Sequence, residues 1–240
     1  ATRSLSFCAR PGERLAVVGH TGAGKSTLVN LLLRFHDPQE GRVTVDGRDV
    51  REWDLTNLRG RFAVVLQEVD CFAGTLRDNV GLGRPGLDDV RIRWALEQVQ
   101  AGELLERLPA GLGTVLGERG SGLSAGERQL VSFARALVDD PEFLLLDEAT
   151  AAVDAITEHA IQLAIGRLLA GRTALIIAHR LATVVGCDRV LLLRQGRLAE
   201  EGTHSELIER GGLYRTLHDL QLLAPGGSGS SLRRQAAVSS

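Results

Sequence analysis

The sequence predicts an α/β fold in which helices wrap a mainly parallel sheet, with a small antiparallel piece near the N-terminus and a helical subdomain inserted in the core. Three features carry that expectation. Short apolar runs bounded by glycine or charge recur along the chain, stretches with helical spacing separate them, and a long middle region carries helical spacing with no strand signal.

Leu15 to Val18 is too brief for a helix and is flanked by Gly12 and Gly19, so it reads as a fully buried strand that runs into a glycine-rich loop. After Lys25 the residues Leu28, Leu31, Leu32 and Phe35 recur at helical spacing until Asp37 and Pro38 close the pattern. Val43 to Asp49 alternates around Asp46-Gly47, a hairpin turn signal, and Phe62 to Leu66 is a second buried strand. Between about 74 and 140 the strand signal disappears, and Asp88 to Gln100 and Gln129 to Val138 read as helices. Strands resume at Phe143 to Leu146, Ala174 to Ile177 and Val190 to Leu193, with a helix from Thr157 to Leu169 between the first two. A last helix covers Tyr214 to Leu223. Residues 1–224 are therefore expected to form one domain, and the Gly/Ser-rich, polar stretch 225–240 a disordered tail.

With 240 residues, 44% hydrophobic and 24% charged, the chain suits one large globular domain. The net charge of −2 gives no global positive field for a nucleic-acid backbone, so no nucleic-acid partner is expected. No apolar run approaches the roughly 18 residues of a membrane helix. Three cysteines without a C-x-x-C spacing argue against a disulfide framework or a zinc site and suit a reducing, cytosolic compartment. The absence of methionine leads us to expect a piece of a longer protein. Among 28 basic residues Lys25 is the single lysine, which calls for a reason.

That reason lies in Gly19-His20-Thr21-Gly22-Ala23-Gly24-Lys25-Ser26, followed by Thr27. It fits G-x-x-x-x-G-K-[ST] between a predicted strand and a predicted helix. Glycines let backbone N–H groups turn inward around a phosphate, the helix N-terminus adds partial positive charge, Lys25 reaches the β and γ oxygens, and Ser26 offers a hydroxyl to Mg²⁺. An arginine fork does not replace a compact ammonium there. The plainer alternative is a flexible glycine turn with a surface lysine. Phe143 to Leu146 ends in Asp147-Glu148 at the carboxyl edge of the sheet, where Asp147 suits the Mg²⁺ shell and Glu148 suits polarising the attacking water. The alternative is that both acids cap the next helix. Together the motifs identify a phosphate-loop nucleotide hydrolase.

Leu123-Ser124-Ala125-Gly126-Glu127-Arg128-Gln129 resembles the signature of ABC ATPases, and other positions follow in that family's order. Gln67 resembles the Q-loop glutamine, Ala152-Val153-Asp154 the D-loop, and His179 the switch histidine. Gly117-Glu118-Arg119-Gly120 resembles the coupling stretch of ABC exporters, and Glu201-Gly202-Thr203-His204 with Gly212-Leu213-Tyr214 resembles the exporter C-terminal end. The resemblance covers about residues 5 to 223. It implies a RecA-like phosphate-loop core that binds ATP and Mg²⁺ and hydrolyses ATP, with Glu148 and His179 as catalytic residues. It further implies Ser26, Gln67 and Asp147 as metal ligands, and Ser124, Gly126 and Asp154 acting on nucleotide held by a second nucleotide-binding domain. The implied partners are exporter transmembrane domains, which place the chain at the cytoplasmic face of the cell membrane. A soluble ABC-type ATPase acting on ribosomes or DNA is the alternative. Locally, Ser124 with Glu127 three residues later is also a capping box ahead of an apolar helical run.

Two departures stand out. Ala125 replaces a glycine and Glu127 a glutamine, which puts a methyl and a negative charge near a triphosphate and leads us to expect a heterodimer. The family's adenine-stacking tyrosine has no counterpart between Ala1 and Leu15, where Phe7 is assigned to a strand; weaker adenine binding, by about 1–2 kcal/mol, is expected.

Overall fold

The computed structural model describes residue 2 and residues 4–66, 71–147, 155–178 and 181–223. β1 (Arg14–Val18) leads into α1 (Lys25–Leu32), and β2 (Thr44–Val45) and β3 (Arg48–Asp49) form the small antiparallel hairpin. Its turn residues Asp46 and Gly47 both have positive φ, 49° and 76°, as a two-residue turn of that hand requires. α2 (Leu55–Gly60), capped by the Asp54 carboxylate, precedes β4 (Phe62–Val65). Then come β5 (Gly74–Thr75), α3 (Leu76–Gly81), α4 (Asp89–Gln98), α5 (Gly102–Arg107), β6 (Val115–Leu116) and α6 (Ala125–Leu137). β7 (Phe143–Asp147), α7 (Ala155–Leu169), β8 (Thr173–Ile177), α8 (Leu181–Val185), β9 (Arg189–Arg194), β10 (Arg197–Gly202), α9 (His204–Arg210) and α10 (Leu213–Leu223) complete the order.

The central sheet runs β10-β9-β1-β8-β7-β4, parallel except for β10 at its edge. Side chains alternate between its faces. Ala16, Val18, Leu144, Leu146, Ile176 and Leu192 point to the side covered by α6 and α7, where Phe133 and Leu168 are fully buried. Leu15, Val17, Leu145, Leu175 and Leu191 pack on the other side with Leu28 of α1. Both faces are covered, which is why these strands read as unbroken apolar runs.

Three expectations need correction. The region between 74 and 140 is not free of strand: β5 and β6 pair antiparallel, two residues each, too short for any periodicity. Phe7 lies in no strand; its side chain is half-buried against the α1 face of the sheet. α1 stops at Leu32 because Arg34 adopts φ 51°, which ends the helix well before Pro38. β10, α2, α8 and α9 are additional to the elements expected from the sequence.

Candidate active site

The loop between β1 and α1 owes its shape to three glycines. Gly19, Gly22 and Gly24 have φ of 151°, 80° and 107°, where side chains are disfavoured. A Cβ at Gly19 would run into the Leu193 carbonyl oxygen, and one at Gly24 would lie 3.1 Å from Thr2 Cγ2 and 3.7 Å from the Gly196 Cα. The outer wall of the loop is therefore the β9–β10 turn, and the Gly196 N–H donates to the Ala23 carbonyl at 3.0 Å. Gly24 begins α1 without any side-chain cap, and no acidic residue occupies the first turn, so its backbone N–H groups keep their electropositive end for an external anion. Lys25 is buried, 6% exposed, and its ammonium donates to the carbonyls of Gly19 (2.6 Å) and His20 (3.2 Å). A surface lysine on a floppy turn is thereby excluded. Ser26 is exposed and Thr27 half-buried, on the same first turn.

Strand register brings the acidic position to the same edge. Asp147 is level with Ile177 of β8, which is level with Val17 of β1, so two strand spacings, about 10 Å, separate Asp147 from the strand that feeds the loop. Leu146 is in turn level with Val65 of β4. Gln67, Glu148, Asp154 and His179 lie outside the described residues; in sequence, Gln67 follows the end of β4 by two residues, Glu148 that of β7 by one, and His179 that of β8 by two.

Ser124 and Gly126 belong to the start of α6, which packs on α3, α4, α7 and β4. The capping box is formed: the Glu127 N–H donates to Ser124 Oγ (3.2 Å) and the Ser124 N–H to Glu127 Oε2 (2.7 Å). Sequence reasoning missed the third member. Arg107, the last residue of α5, donates to Glu127 Oε1 at 2.5 Å. Burial alone would raise the Glu127 carboxyl, yet these hydrogen bonds hold it below the ordinary carboxylate value. The negative charge expected at this position thus meets a guanidinium. The Gly117–Gly120 stretch is a tight turn that packs on Cys71, since a Cβ at Gly120 would sit 2.7 Å from the Cys71 Cβ. Among the described residues, no cluster of His, Cys, Asp and Glu is set up to hold a metal ion.

A cavity of about 390 Å³ lies at the opposite edge, where β1 and β9 begin, lined by Arg10, Glu13, Asp188, Arg189, Thr203 and Glu206. Of the motif stretches only Gly202 and Thr203 touch it; the phosphate loop, Asp147 and the start of α6 do not line it.

Among known proteins, the family described as ABC transporter matches residues 2–151. The chain belongs to the ABC transporter family. It is an ATP-binding domain of that family. Over 217 residues it is 46% identical to an ATP-dependent lipid A-core flippase of Burkholderia orbicola, covering 90% of this chain and 36% of the flippase. A β-(1→2)glucan export ATP-binding/permease protein of Bradyrhizobium diazoefficiens is 45% identical over 233 residues, 97% of this chain and 38% of that protein. A bacterial Atm1-family ABC exporter with ATP bound superposes with a TM-score of 0.85 at 42% identity, over 95% of this chain and 40% of the exporter chain. This ABC domain thus spans little more than a third of the curated relatives it matches. Among its described residues no helix is long and apolar enough to cross a membrane.

Proposed function

We propose that this chain is the ATP-hydrolysing motor of an exporter; the observation that carries the proposal is the glycine-shaped loop enclosing the buried Lys25 at the sheet edge where Asp147 ends its strand. The loop from Gly19 to Thr27 grips the triphosphate through backbone N–H groups and the ammonium. Ser26, Asp147 and Gln67 are oxygen donors of the kind Mg²⁺ takes, and the ion supplies neutralisation of phosphate charge when bound. Glu148 polarises the attacking water and His179 contacts the γ-phosphate. A second cassette, either a copy of this chain or a different one, meets it head to tail, so that Ser124 and Gly126 face the other subunit's nucleotide and Asp154 lies at the shared interface. Transmembrane domains of the exporter couple to this motor at the cytoplasmic face of the membrane. The exporter-type names of the relatives support this, and a soluble factor acting on ribosomes or DNA is not favoured.

Replacing Glu148 with glutamine is expected to leave ATP binding intact, cut turnover by at least about 100-fold and accumulate the ATP-bound dimer. Steady-state hydrolysis and light scattering read both effects; turnover at the parent rate would remove Glu148 from its role.

A further inference from the structure

Glu127 stands at the third position of α6, where its carboxylate caps the helix through the Ser124 N–H. A carboxylate there satisfies the backbone, but it also draws on the same positive N-terminal field that an approaching phosphate needs. Its other oxygen is taken by Arg107 from α5, 20 residues upstream. The Glu127 side chain is 23% exposed and the Arg107 side chain 54%, so the guanidinium is the more accessible partner. An exposed pair of this kind adds little to stability. Its consequence is electrostatic: the capping geometry is kept while the net charge of the pair is zero.

We infer that Arg107 is a positioning residue for nucleotide approaching the start of α6, holding the Glu127 carboxylate in its cap and cancelling its charge so that a triphosphate can reach Ser124. This rests on the proposed head-to-tail dimer, in which that nucleotide belongs to the other cassette. A glutamine at 127 would cap without charge and need no such partner, so the Arg107 requirement is specific to the glutamate.

Light scattering of the full chain carrying Glu148→Gln, titrated with Mg-ATP, reads the ATP concentration for half-maximal dimer. Arg107→Gln is expected to raise that concentration about tenfold at low salt, by the uncompensated charge it leaves. With Glu127→Gln also present, the same arginine change is expected to shift it less than about twofold. A role in packing alone would shift both backgrounds equally, and that result, or an unchanged midpoint in Arg107→Gln, overturns the inference while leaving the dimer intact. No ATP-driven association in the parent, with ATP still bound, overturns the proposed dimer and the inference together.

Discussion

The two edges of the central sheet use charge in opposite ways. At the carboxyl edge the backbone is bent by Gly19, Gly22 and Gly24 around the Lys25 ammonium, which donates to the main-chain carbonyls of Gly19 and His20. At the amino edge the cavity is walled in part by side chains that pair with one another: Arg189 pairs with Glu13 at 2.8 Å and Glu201 at 2.5 Å, Glu13 accepts from the Arg10 N–H, and Asp188 from the Arg14 N–H. A cavity by itself therefore does not locate the chemistry. A triphosphate needs backbone donors and an ammonium in one place, which the glycine loop supplies and the ion pairs around Arg189 do not.

The largest test of this contrast removes the ammonium. Lys25→Ala is expected to lower ATP turnover by at least about 100-fold, and Lys25→Arg to restore little of it, because a planar fork does not fit where two carbonyls wrap a point charge. A coupled-enzyme ATPase assay on both variants measures this, and substantial activity in Lys25→Arg would mean that net charge alone is required. The matching change at the other edge should behave differently. Arg189→Ala leaves the Glu13 carboxylate, 10% exposed, without its cation. It is expected to cost about 2 kcal/mol in denaturant unfolding while the turnover of the folded fraction stays within about twofold. A comparable loss of turnover would show that the amino edge communicates with the nucleotide and would break the comparison.

The contrast also decides what could be read in advance. The phosphate loop was legible because its physics is local: consecutive residues must supply the turn, the close approach and the charge. So were the buried strands, since both faces of the sheet are covered and their apolar runs are continuous. β10 was not legible, because an edge strand carrying Glu200 and Glu201 shows no clean alternation. α9 did carry a signal, Thr203 with Glu206 three residues on, and both capping bonds are formed. What sequence could not supply is contact at a distance. The β9–β10 turn that walls the phosphate loop and the Arg107–Glu127 pair both join residues whose separation along the chain gives no periodic cue.

The smallest expected effect lies where α10 docks on α9 and β10. The Glu200 carboxylate accepts from the N–H groups of Leu213 (2.5 Å) and Tyr214 (3.1 Å), and His204 Nδ1 lies 2.7 Å from the Tyr214 hydroxyl. Burial, and secondarily the neighbouring His218, whose ring is 5.6 Å away, hold His204 below the ordinary value of 6.5. As pH falls through that value the unfolded chain takes up the proton first. The stability that His204 contributes is thus complete above about 6.5 and declines as pH drops toward the lower folded-state value. Asp219 is also held low, by hydrogen bonds from His218 and Arg215, but its contribution is lost only further down, in the carboxylate range. Thermal unfolding followed from neutral to mildly acidic pH should therefore show a shallow loss in the histidine range that His204→Gln flattens. A slope unaltered by that substitution would assign the pH response to another group and leave α10 docking insensitive to the histidine pair.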